Sequence, residues 1–73
     1  MKMPTQEQIE SLWNAIHKKA NSNHDKQAMI RPSEYGYSDR SEGRDVCRAY
    51  LESFPEVRRV EVAAKNLLRV YLV

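Results

Sequence analysis

Seventy-three residues with a net charge of +2 and a single cysteine restrict this chain to one small domain, which must bury nearly every large apolar side chain it has in order to fold. Twelve basic against ten acidic residues is a weak imbalance for a dedicated phosphate binder. The longest apolar run, Val70 to Val73, falls far short of the roughly 18 residues that a membrane-spanning helix needs.

Met1-Lys2-Met3-Pro4 leads into a polar stretch with no apolar leader segment, and Cys47 has no partner for an internal disulfide. A cytoplasmic address is the expectation. Cys47 stands among apolar helix positions and reads as a small buried hydrophobe rather than a nucleophile. Leu, Ile, Val and Phe number 15 of 73, with three in residues 1–21, Ile30 alone in the middle and eleven from Val46 onward.

Pro4-Thr5-Gln6-Glu7-Gln8 predicts a helix starting at Gln6, with Thr5 and Gln8 forming a capping box. Ile9, Leu12, Trp13, Ile16 and Ala20 recur at helical spacing, opposite Glu10, Asn14, Lys18 and Asn21. Asn21-Ser22-Asn23 is the predicted stop, since Asn tolerates the left-handed conformation. Residues 22–40 are a long connection for so small a domain; within it, 28–31 is the expected site of a short strand, ended by Pro32.

A second helix is predicted from Asp39-Arg40-Ser41-Glu42, with Asp39 or Ser41 as the cap, and Pro55 closes it. Its apolar face is Val46, Cys47, Tyr50, Leu51 and Phe54. Gly43 lies one turn before Cys47, at a helix cost of about 1 kcal/mol relative to Ala, which a close approach of another helix would explain. Asp45, Arg48 and Glu52 have the spacing of exposed ion pairs.

Residues 57–73 carry the clearest β pattern, two alternating runs joined by Ala64-Lys65-Asn66, with Asn66 suited to a positive φ. If Val62 faces Leu68, then Val60 faces Val70, Arg58 faces Leu72, Glu61 faces Arg69 and Arg59 faces Tyr71. The expected architecture is α+β: two helices packed on a small antiparallel sheet, made of the C-terminal hairpin and the short strand at 28–31, in one domain over residues 1–73.

No motif for chemistry stands out. His17, His24, Asp25 and Cys47 are metal-ligand types without metal-ligand spacing, and two glycines allow no phosphate-cradling loop. A pocket of several hundred cubic ångströms is not expected in so small a domain. Neither catalysis, a cofactor nor a metal is expected.

Two surfaces carry the functional expectation. The 31–40 loop holds Arg31, Tyr35, Tyr37 and Arg40, of the residue types that dominate binding hot spots, although its tyrosines serve equally well as lids on the core. The terminal strand places Tyr71 and Val73 where an uncovered edge would pair with another chain. These residues point to a small non-catalytic protein–protein interaction protein of the accessory or inhibitory kind, similar in profile to phage and mobile-element proteins by analogy only. Its partner would be another protein or a second copy of itself, with no membrane or small-molecule substrate. The alternative is a nucleic-acid-binding domain using Arg58, Arg59, Lys65, Arg69 and Tyr71 on the hairpin, where residues 57–73 hold four basic groups against one acidic.

Overall fold

In the computed structural model, which describes residues 3–73, the chain runs α1 (Gln6–Asn21), β1 (Gln27–Ile30), a 3-10 turn (Pro32–Tyr35), α2 (Ser41–Glu52), β2 (Val57–Ala64) and β3 (Leu67–Leu72). Met1 and Lys2 of the leader reading lie outside the described residues. No helix among the described residues is long and apolar enough to cross a membrane.

Helix α1 starts as its capping box dictates: the Gln8 amide donates to Thr5 Oγ1 at 3.2 Å, and Gln8 Oε1 accepts from the Thr5 amide at 2.8 Å. Leu12, Ile16 and Ala20 are buried on its inner face, with Ile9 and Trp13 half-buried beside them. The helix ends without a left-handed Asn. Ser22 is the cap, its hydroxyl donating to the Lys19 carbonyl, and the positive φ falls at Lys26 (53°), after Asn23 Oδ1 has accepted the Asp25 amide.

The capping expectation for α2 is corrected. Arg40 rather than Asp39 or Ser41 is its N-cap, and no side chain caps it, because a guanidinium has no acceptor to offer the first helical amides; Ser38 Oγ accepts from the Arg40 amide. Cys47 and Leu51 are buried, while Val46, Tyr50 and Phe54 are half-buried. Arg48 pairs with Glu52 at 3.6 Å, whereas Asp45 pairs with its neighbour Arg44 at 3.0 Å.

The sheet is antiparallel, in the order β1-β3-β2. Four of the expected hairpin pairs are present: Val62 with Leu68, Glu61 with Arg69, Val60 with Val70 and Arg59 with Tyr71. The fifth is not. A bulge inserts Arg58, so Val57 rather than Arg58 stands opposite Leu72. The reason is burial: Val57 reaches the core at 8% exposure while Arg58 stays in water. The 65–66 turn forms without positive φ at Asn66.

Both helices cover the same face of the sheet. One core joins Leu12, Ile16 and Ala20 of α1, Cys47 and Leu51 of α2, and Ala28, Ile30, Val60, Leu68 and Val70 of the three strands. The helix seam is closed by aromatics: Trp13 and Tyr50 each set an edge to Phe54, at 4.9 and 5.0 Å, and Trp13 Nε1–H donates to the Tyr50 hydroxyl. His17 lies 3.7 Å from Glu56 beside that seam.

The 22–40 segment is a structural part of the domain. Ala28, Ile30, Pro32 and Tyr37 are all buried, and Gly36 takes φ 93° where a Cβ would lie 2.8 Å from Pro4 Cα. A polar composition hid this, since only Ile30 belongs to the large aliphatics.

Candidate functional site

With both helices on one face, the other face of the sheet is uncovered. Strand alternation puts Gln27 and Met29 of β1, Arg69 and Tyr71 of β3, and Arg59 and Glu61 of β2 there, and the bulge adds Arg58. Cross-strand pairing aligns them in two rows, Met29–Arg69–Glu61 and Gln27–Tyr71–Arg59.

Tyr71 organises this surface. The Arg59 guanidinium lies 4.4 Å from its ring centroid and that of Arg58 5.2 Å, so the ring is only 8% exposed on a face that no helix covers. Its hydroxyl donates to Glu61 Oε1 at 3.0 Å. Glu61 is in turn approached by Arg59 at 3.5 Å and Arg69 at 3.7 Å. Each surface contact contributes little alone, but together they hold two guanidinium groups at the Glu61 carboxylate and a third over the Tyr71 ring. Arg58 has no carboxylate partner among the described residues, and Met29 is 39% exposed at the end of its row.

The other residues named from the sequence are dispersed. Arg31 and Arg40 are exposed, at the start of the 3-10 turn and of α2. Tyr35 is half-buried against the core. Tyr37 is corrected from contact residue to core residue: it is 3% exposed, and burial raises its pKa first of all, with the electrostatic influence of Cys47 and Tyr50 and the hydrogen bond with Cys47 adding to the rise. Cys47, at 0% exposure, has its thiol pushed up to about 12 by burial, against a smaller lowering by Tyr37, which keeps it protonated at neutral pH.

The terminal strand also differs from expectation. β3 is the middle strand, its backbone paired on both sides, so Tyr71 and Val73 do not offer an edge. Val73 is 73% exposed, and its amide donates to the Glu56 carbonyl. Lys65 lies exposed in the hairpin turn, away from the Tyr71 rows.

His17, His24, Asp25 and Cys47 do not converge; the described residues hold no group of three such side chains placed to share a metal ion. A polar cleft of about 520 Å³, larger than the core size suggests, lies outside the core between the 3-10 turn and the start of α2, lined by Ser33, Tyr37, Ser38, Asp39, Arg40 and Glu42. Its one cation and two carboxylates lie at an uncapped helix start whose dipole favours anions, so the charges there oppose one another.

The arrangement that sequence reasoning missed is the Arg58 position over Tyr71. Its only advance signal was that Val57 is apolar and Arg58 is not, which a bulge resolves. Compared with known proteins, the chain matches no family model, no curated protein and no solved structure.

Proposed function

We propose that this is a non-catalytic binding protein whose contact surface is the uncovered sheet face and whose partner is an acidic protein surface. The observation that carries the reading is the cluster of Arg58, Arg59 and Arg69 held around Tyr71 and Glu61 on a face that no described residue covers. Arg, Tyr and Met are the types enriched where proteins meet, and a guanidinium already fixed by stacking loses less freedom on binding a carboxylate. Three cations against one carboxylate leave the cluster positive.

A protein partner fits better than a nucleic acid. Single-strand binding needs an accessible ring for base stacking, and Tyr71 lies beneath two arginines with its hydroxyl committed to Glu61. Glu61 at the centre repels phosphate. Among the described residues, the groups with a shifted pKa are Tyr35, Tyr37 and Cys47, all shifted upward by burial, the direction opposite to an activated nucleophile.

The test is affinity capture from the protein's own cells with the wild type and with an Arg58→Ala/Met29→Ala variant, both of whose side chains are exposed. A specific protein held by the wild type should be retained about tenfold or more weakly by the variant. Equal retention counts against the face. Oligonucleotide binding that falls steeply with salt would transfer the reading to nucleic acid.

A further inference from the structure

The two edges of the sheet are not equivalent. At the β1 edge the strand has four residues, α1 lies against it, and Lys19 Nζ donates to the Met29 carbonyl at 2.8 Å. The β2 edge has eight residues, and among the described residues β2 pairs only with β3. Val62 there is 42% exposed, and Ala63 and Ala64 are exposed.

The hydrogen-bond alternation shows which groups this edge presents. The Leu72 amide donates to Lys26 in the β1 direction, while the Val73 amide donates to Glu56 in the β2 direction. Arg69 and Tyr71 therefore turn their backbones toward β2, where they face Glu61 and Arg59. The N–H and C=O groups of Val60 and Val62 point away from the sheet, without partners among the described residues.

We propose that two copies of this chain pair antiparallel along β2 about a two-fold axis at Val60, joining two three-stranded sheets into one of six strands. An antiparallel self-pairing through the free groups of Val60 and Val62 has few registers. Centred on Val60, Arg59 stands opposite the partner's Glu61 and Glu61 opposite the partner's Arg59, a regular ladder over residues 59–61 that ends at the Arg58 bulge. Centred on Glu61, like carboxylates oppose each other; centred on Arg59, like guanidinium groups do. Of these three, only the Val60 register matches opposite charges, and it does so twice by symmetry.

That register also continues the rows already present. Met29, Arg69 and Glu61 of one copy run on into the partner's Arg59, Tyr71 and Gln27 across the shared sheet. Each Glu61 then has a cation on either side. The proposal concerns the edge and stands whatever the open face binds.

Sedimentation equilibrium of the full chain tests it. The wild type should form a reversible dimer. Arg59→Glu and Glu61→Lys should each weaken self-association about tenfold or more, because two attractive cross-strand pairs become repulsive. An equimolar mixture of the two variants should recover association, since it restores both opposite-charge pairs in the heterodimer. Circular dichroism checks that each variant is folded. Independently of any variant, the Val60 and Val62 amides of the wild type should exchange hydrogen more slowly as protein concentration rises. A wild type that stays monomeric, a variant that dimerises like the wild type, folded variants whose mixture fails to associate, or exchange at Val60 and Val62 that ignores concentration would each overturn the proposal. An extended peptide captured on β2 by a monomeric chain would assign the edge to another occupant.

Discussion

Gly43→Ala should destabilise the protein by about 2–3 kcal/mol, against the ordinary rule that replacing a helical glycine with alanine gains about 1 kcal/mol. A Cβ at Gly43 would overlap the Ser38 carbonyl oxygen and lie 2.7 Å from the Ser38 nitrogen. Both are backbone atoms of the segment that connects the 3-10 turn to α2, so relief requires moving the chain rather than turning a side chain. That segment carries Tyr37, which is buried in the core beside Cys47. Displacing it therefore loosens the core as well. A domain of this length has a total stability of roughly 4–11 kcal/mol, so the loss is a large share of it. Urea denaturation should show a lower midpoint with an unchanged slope. The control is Ala49→Gly on the exposed side of the same helix, where the expected loss of about 1 kcal/mol is propensity alone. A Gly43→Ala protein more stable than the wild type would show that no close approach exists.

Leu68→Ala should have the larger effect, a loss of about 3–5 kcal/mol, enough to leave much of the protein unfolded. Leu68 is at 0% exposure on the middle strand, paired with Ile30 on one side and Val62 on the other. It thus joins both halves of the sheet beneath the helices. Its neighbour Leu67 is only half-buried and points to the opposite face, so Leu67→Ala should cost about 1 kcal/mol. The contrast between adjacent leucines measures the register, because a one-residue slip would exchange their roles. Thermal or urea unfolding of the two variants side by side checks it.

Local signals explain what could be read from the residues alone. The Thr5–Gln8 capping box involves atoms three residues apart, and the hairpin register follows from alternation across a short turn, so both were legible. Gly43 was legible as a close approach, though the neighbour is the Ser38 backbone rather than a second helix. Pairings between distant segments were not. That β1 would lie along β3 rather than β2 depends on contacts some forty residues apart, and nothing local to Val70–Val73 shows that its second edge is covered. Tyr37 was open for a related reason: a tyrosine flanked by Gly and Ser looks like a contact residue until a core with room for its ring is known.

Loop residues 31–40 lost most of their case once Pro32, Gly36 and Tyr37 proved buried, and the hairpin face gained one when the bulge brought Arg58 over Tyr71. A bulge is hard to anticipate because alternation on either side of it looks regular. Only the competition between burying Val57 and burying Arg58 distinguishes the two registers.

The central claim is that the uncovered sheet face is the surface this protein uses. Photo-crosslinking inside cells tests it most directly, with the reactive side chain placed in turn at Met29 on that face and at Ala49 on the exposed side of α2. One specific protein adduct should form from position 29 and none from position 49. Adducts from position 49 alone would contradict that claim.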